Sequence, residues 1–246
     1  MQHLVNIYNT GCCMIKRTKL AVHVLTGVVC ILVCGGIFAV WAASPDSYPV
    51  STDPRAVYSG TSETSAALMF NVYSGEEYIP DILDTLNKAG AGATFFIGGC
   101  WAEKHGDLLR EIVESGYEIG SHGYLHRDHS EMDVAGNLEE MRAAHRMISA
   151  VSGVEPKLFA PPSGAYSTAT LDAAEEMGYV TVLWSKDTID WRDHDAELIT
   201  ERAVKDVAAG DMILMHPTAD TAKALPGILA GLENAGVSPG CVSEVL

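Results

Sequence analysis

Tyr117-Glu118-Ile119-Gly120-Ser121-His122-Gly123-Tyr124-Leu125-His126 runs out of an apparent strand into a segment that carries two imidazoles four positions apart. Two histidines at that separation can face one point where the backbone turns or coils. Neutral imidazole is the commonest protein ligand for zinc and its neighbours, so the pair can grip one metal ion. H-x-x-x-H alone also describes two solvated loop histidines, and the rest of the chain has to decide between them.

Outward from this stretch, short apolar runs alternate with longer amphipathic ones from Glu63 onward, the rhythm of an α/β domain with parallel strands. Strands are expected at 65–70, 93–97, 117–120, 180–184, 212–215 and in the last residues. Helices are expected at 77–89, 101–115, 133–151, 169–177, 196–208 and 221–235, and several of them stop at a glycine (Gly90, Gly116, Gly178). Asn71, His122, Asp187 and His216 each lie just past a strand's carboxyl end. In a parallel barrel that rim is where a site assembles, which favours the metal reading of His122 and His126.

Over roughly residues 63–246 the chain resembles the NodB-type polysaccharide deacetylases, carbohydrate esterase family 4. The resemblance runs through AALMF, GATFFIGG, GYEIGSHGYLH, FAPPSGAYS, DTIDW and ILMHPT, in the family's order and approximate spacing. It implies a distorted (β/α) barrel, a divalent metal such as zinc or cobalt, and removal of acetyl groups from an N-acetylated polysaccharide such as peptidoglycan or a chitin-like oligomer. His122 and His126 then match the two metal histidines, with Gly123 where a hydroxyl residue is usual. His216 matches the general acid toward the leaving amine, and Asp187 the carboxylate that orients it. Trp191, Leu214 and Pro162 match substrate-binding positions around the acetyl pocket.

The departures fall in the first and third motifs. T-F-D-D-G should supply a catalytic base and a third metal ligand, and Asn71 and Val72 stand there. Some members write a longer F-D-x-x-x-G loop with only the first aspartate, so the decisive change is Asn71. The arginine that precedes the family's prolines is Ala160. A carboxamide cannot take a proton from metal-bound water, and general-base assistance contributes about 10²–10⁴ in rate. A guanidinium facing a neutral amide would be a buried cation without its partner, so the two changes are chemically consistent with each other. Glu76, Glu77 and Asp128 with His129 are within reach as substitutes; Glu76 and Glu77 equally suit the first turn of a helix. His105 and His145 read as exposed helix residues and His194 as part of a loop.

Charge and hydropathy set the surroundings. Of 16 basic residues three (Lys16, Arg17, Lys19) precede residue 44, where no acid occurs, leaving 13 against 32 acidic residues beyond. That balance argues against nucleic acid as partner and, weakly, for a neutral or cationic glycan. Residues 20–43 are uncharged and long enough to cross a hydrocarbon core of about 30 Å. The expected layout is a short cytoplasmic tail (1–19), one transmembrane helix (20–43), a Pro/Ser/Thr/Asp-rich linker (44–62) and an extracytoplasmic domain (63–246) attached to the cell membrane. A cleavable signal peptide is the alternative, which the length of the run disfavours. Cys12, Cys13, Cys30 and Cys34 lie in or near this segment, and Cys100 with Cys241 makes no disulfide framework. Two functions remain open: a metal-dependent deacetylase of lowered activity, and an inactive homologue that binds glycan or organises a surface complex.

Overall fold

The computed structural model describes residues 53–246. The tail, the expected membrane span and the first part of the linker lie outside the described residues. In chain order the elements are β1 (Ala56–Val57), β2 (Ser65–Val72), α1 (Ile79–Ala89), β3 (Thr94–Ile97), α2 (Gly99–Lys104), α3 (Gly106–Glu114), β4 (Glu118–Ser121), α4 (Val134–Ser152), β5 (Leu158–Phe159), α5 (Thr168–Glu176), β6 (Val180–Val182), β7 (Lys186–Asp187), α6 (Ala196–Val204), β8 (Met212–Met215), α7 (Ala219–Asn234), β9 (Ser238–Gly240) and α8 (Val242–Val245). The strands form one sheet in the order β1-β6-β5-β4-β3-β2-β8-β7, with β9 pairing the first residues of β2. Every pairing is parallel, and β1 and β7 are the two edges of a curled, open sheet.

Parallel strands are covered on both faces, and β2 shows how. Ala66, Leu68, Phe70 and Val72 point outward into a layer shared with Ile82 and Leu86 of α1, Ile112 of α3 and Ile228 of α7. Ala67 and Met69 point inward, among Phe96, Leu158, Ala160, Val182 and Met212. Side chains alternate with period two, so Asn71 continues the inward row and Val72 the outward one. The same alternation sends Gly120, and His122 after it, inward from β4. Leu214 and His216 point inward from β8. A Cβ on Gly120 would lie 2.4 Å from the Phe96 ring, so only glycine fits below His122.

Several boundaries differ from the sequence expectation, each for a local reason. The folded unit begins at Asp53, because Ala56 and Val57 pair with Thr181 and Val182 and Arg55 grips Asp53 and Asp172. Residues 53–62, assigned to a linker by composition, are thus part of the domain. The helix expected over 101–115 is two, broken at His105, whose backbone (φ −123°, ψ 42°) is non-helical. The chain ends in α8 rather than a strand. β5 and β7 hold two residues each, too short for a periodic signal.

No helix among the described residues is long and apolar enough to cross a membrane. That statement leaves residues 20–43 outside its scope.

Gly75 links the loop after β2 to the loop after β8: its φ is +82°, and a Cβ there would lie 1.8 Å from the Pro217 carbonyl oxygen. Gly75→Ala is expected to lower stability by about 1–3 kcal/mol in thermal or urea unfolding. An unchanged midpoint would mean that the two loops are not held at this distance.

Candidate functional site

His122, 1% exposed, is fixed from behind: its Nδ1 lies 2.7 Å from the carbonyl oxygen of Ala160. A carbonyl only accepts, so Nδ1 carries the proton and Nε2 presents a lone pair. Burial holds this imidazole down to about 3, with His126 and His216 adding repulsion and the Ala160 bond opposing. His126 has a left-handed backbone (φ 54°), and its ring centroid is 5.1 Å from that of His122 and 4.8 Å from that of Tyr73. Burial lowers its pKa also.

The loop bearing His126 is held by buried polar groups. Glu140 of α4 accepts from the backbone N–H groups of Tyr124 (3.1 Å) and Leu125 (2.9 Å). His129 donates from Nδ1 to Asn137 Oδ1 at 2.6 Å, and Asn137 Nδ2 in turn donates to the carbonyls of His129, Met132 and Asp133. Burial is the main cause of a lowered pKa at His129.

On the opposite wall His216 is oriented by Asp190. The fully buried carboxylate accepts from His216 Nδ1 (2.8 Å), from His216 N–H (2.6 Å) and from Thr221 Oγ1 (2.5 Å). This corrects the sequence assignment of that role to Asp187. Asp187 still belongs to β7, level with Leu214, and its Oδ1 accepts from Ile189 N–H at 2.8 Å. Burial raises the Asp187 pKa, against the pull of that bond and of His216. Ile189, a β-branched residue at φ 54°, bends the loop so that the second aspartate of DTIDW meets the imidazole. Arg202 secures the bend by donating to the Thr188 carbonyl (3.0 Å) and to Asp193 (2.6 Å).

Of the expected substrate positions, Leu214 is buried on the inner face and Pro162 is buried beside Gly123. Trp191 is 58% exposed, which rules out ordinary core packing for it.

Asn71 is 3% exposed and its Oδ1 has no hydrogen-bond partner. Val72 packs in the outer apolar layer and offers the histidines no donor atom. Asp128 accepts from Ser130 N–H (2.9 Å) and Oγ (2.6 Å), Glu76 lies 3.7 Å from His105, and Glu77 stands in the short turn before α1. Among the described residues no three His, Cys, Asp or Glu side chains converge to hold a metal ion. Two imidazoles and a neutral amide oxygen remain, and this donor set does not fit a hydrolytic centre of two histidines and a carboxylate.

The other histidines divide differently from expectation. His145 is largely buried, bridging Tyr179 Oη (2.8 Å) and Glu155 (2.5 Å), while His194 is exposed, 3.7 Å from Asp220. Asp190, Glu140, Asn137 and Tyr73 were not singled out by sequence. Only Asp190 carried a signal, as the second acid of DTIDW.

Residues 58–182 match the family model for polysaccharide deacetylase. YlxY of Bacillus subtilis is 35% identical over 203 residues, 82% of this chain, and the chain spans 64% of that relative's length. A peptidoglycan-N-acetylglucosamine deacetylase of Bacillus cereus is 32% identical over 194 residues, 75% of this chain and 89% of that one. Among solved structures, BA3943 of Bacillus anthracis, described as a CE4 family pseudoenzyme, superposes with a TM-score of 0.75 at 30% identity, covering 77% of this chain and 68% of that chain. A mutant of BA3943 is described as having restored enzymatic activity.

Replacing Asp190 by Asn is expected to cost about 1–3 kcal/mol and to release the His216 tautomer, read by nitrogen NMR of the imidazole. Asp187→Asn is expected to leave that tautomer in place; the reverse pattern would restore the sequence assignment.

His122, His126 and His129 all have pKa values below the unfolded value of about 6.5, so the unfolded chain binds more protons and stability falls on acidification below about pH 6.5. Asp187, shifted upward, contributes with opposite sign above pH 3.8, one group against three. Unfolding midpoints across this window should drop toward acid, and less steeply in His129→Gln. A flat profile would contradict the burial of neutral imidazoles.

Proposed function

Because the chain belongs to the polysaccharide deacetylase family, we propose that it is a non-hydrolysing member, one that holds a hexosamine-containing cell-wall or chitin-like glycan in the barrel mouth with little or no turnover. The observation that carries this reading is Asn71: the inner-face position at which the family places a basic carboxylate holds a buried carboxamide with an unpartnered oxygen. The neighbouring Ala160 supports it, since its side chain lies in an apolar cluster where the family has an arginine. The retained parts, His216 with Asp190 and the pair His122 and His126, keep the shape of the groove.

The relatives support the glycan class. One is a peptidoglycan-N-acetylglucosamine deacetylase, and a structural neighbour is described as a pseudoenzyme of the same family. A single-pass anchor at residues 20–43, with the domain outside the cytoplasm, suits a polymeric wall substrate and rests on the hydropathy and charge of the amino terminus. A second reading, a deacetylase of reduced rate, is favoured by the intact His216–Asp190 pair.

The full chain, incubated with zinc or cobalt and an N-acetylglucosamine oligomer, is expected to release no acetate above a His216→Ala control. Asn71→Asp combined with Ala160→Arg is expected to release acetate, the gap reflecting the factor of about 10²–10⁴ that a general base supplies. Rapid acetate release by the parent chain would overturn the non-hydrolysing reading.

A further inference from the structure

The inner wall of the mouth presents hydrogen-bond acceptors. Asn71 Oδ1 is buried and unpartnered. His122 spends its Nδ1 proton on Ala160 and turns the lone pair of Nε2 forward. Asp187 faces inward with Leu214; its Oδ1 accepts from Ile189 N–H, and Trp184 also donates to the carboxylate, which keeps lone pairs and its charge for a ligand. Cations on the surrounding loops are already committed: Arg192 and Arg202 to Asp193, Lys186 to the Lys205 carbonyl and Asp211, while Arg127 lies 3.8 Å from Glu140.

From this arrangement, and resting on the glycan-binding reading above, we propose that the site recognises the free ammonium of a de-N-acetylated hexosamine within the glycan, in preference to the N-acetylated sugar. An ammonium brings three donors and a positive charge to a wall of acceptors. An acetamide brings one N–H, a carbonyl oxygen and no charge, so it gains less from the Asp187 carboxylate and the acceptor oxygen of Asn71.

Two further features point the same way. The chain has 32 acidic and 16 basic residues, a field that draws a cationic polymer and repels an anionic one. Among the described residues five large hydrophobic side chains are exposed, and three of them, Tyr73, Leu125 and Trp191, lie on the strand-end loops of this mouth. They offer apolar faces to sugar rings on either side of the bound unit.

Isothermal titration of the full chain in detergent with a glucosamine pentamer and an N-acetylglucosamine pentamer, at about pH 6 where a sugar amine carries its proton, tests this. The glucosamine pentamer is expected to bind at least about tenfold more tightly. Asn71→Leu and Asp187→Asn should each erode the preference, whereas Asp84→Asn, the same charge change at an exposed residue of α1, should leave it intact. Equal affinity, preference for the acetylated pentamer, or equal loss in the Asp84 and Asp187 variants would overturn the proposal. Binding of the acetylated pentamer alone would leave the glycan-binding reading standing, and failure of both pentamers to bind would defeat that reading too.

Discussion

The two-residue alternation of parallel strands, locked in register, is the constraint on which the site depends. Met69 is level with Leu214 of β8 and Asn71 with Phe96 of β3, so successive inward positions stack into tiers. Met69, Leu214 and Asp187 form one tier, and Asn71 and His216 follow two residues above them. A slip of one residue in β2 would turn Asn71 into the helix-packed layer and bring Val72 inward. The outer layer resists that slip because Leu68, Phe70 and Val72 are fully buried in it, each contributing about 1.5–3 kcal/mol.

On that frame the chemistry is decided by a few side chains. A deacetylase of this family would pair a carboxylate with a guanidinium near the two histidines. This chain has a carboxamide at 71 and a methyl group at 160, while the backbone carbonyl of Ala160 still orients His122. Removing one charge alone would strand the other in an apolar cluster, a cost of several kcal/mol. Losing both leaves neither charge without its partner. The proton-donor side keeps His216 held by two hydrogen bonds to Asp190.

The sequence disclosed what depends on long periodic runs and on spaced motifs. The parallel α/β class and the strand-end placement of Asn71, His122 and His216 are readable from residues alone, whereas the inward row of β2 is not, because AALMF is apolar throughout. Two-residue strands are not either, because β1, β5 and β7 are defined by their partners rather than by any period of their own. The two acids of DTIDW are a case of the same kind. DTIDW shows two acids, and only the left-handed turn at Ile189 decides which one reaches His216. His145 looked exposed by helical position, yet Tyr179 and Glu155 come to it from other elements.

Among the described residues no carboxylate joins His122 and His126 to complete a metal site. Crystals of the full chain grown with zinc and measured at the zinc absorption edge test it directly. The account requires that any ion bound by these two imidazoles have no carboxylate oxygen within about 2.2 Å. A carboxylate of Glu76, Asp128 or Asp187 on that ion would contradict it.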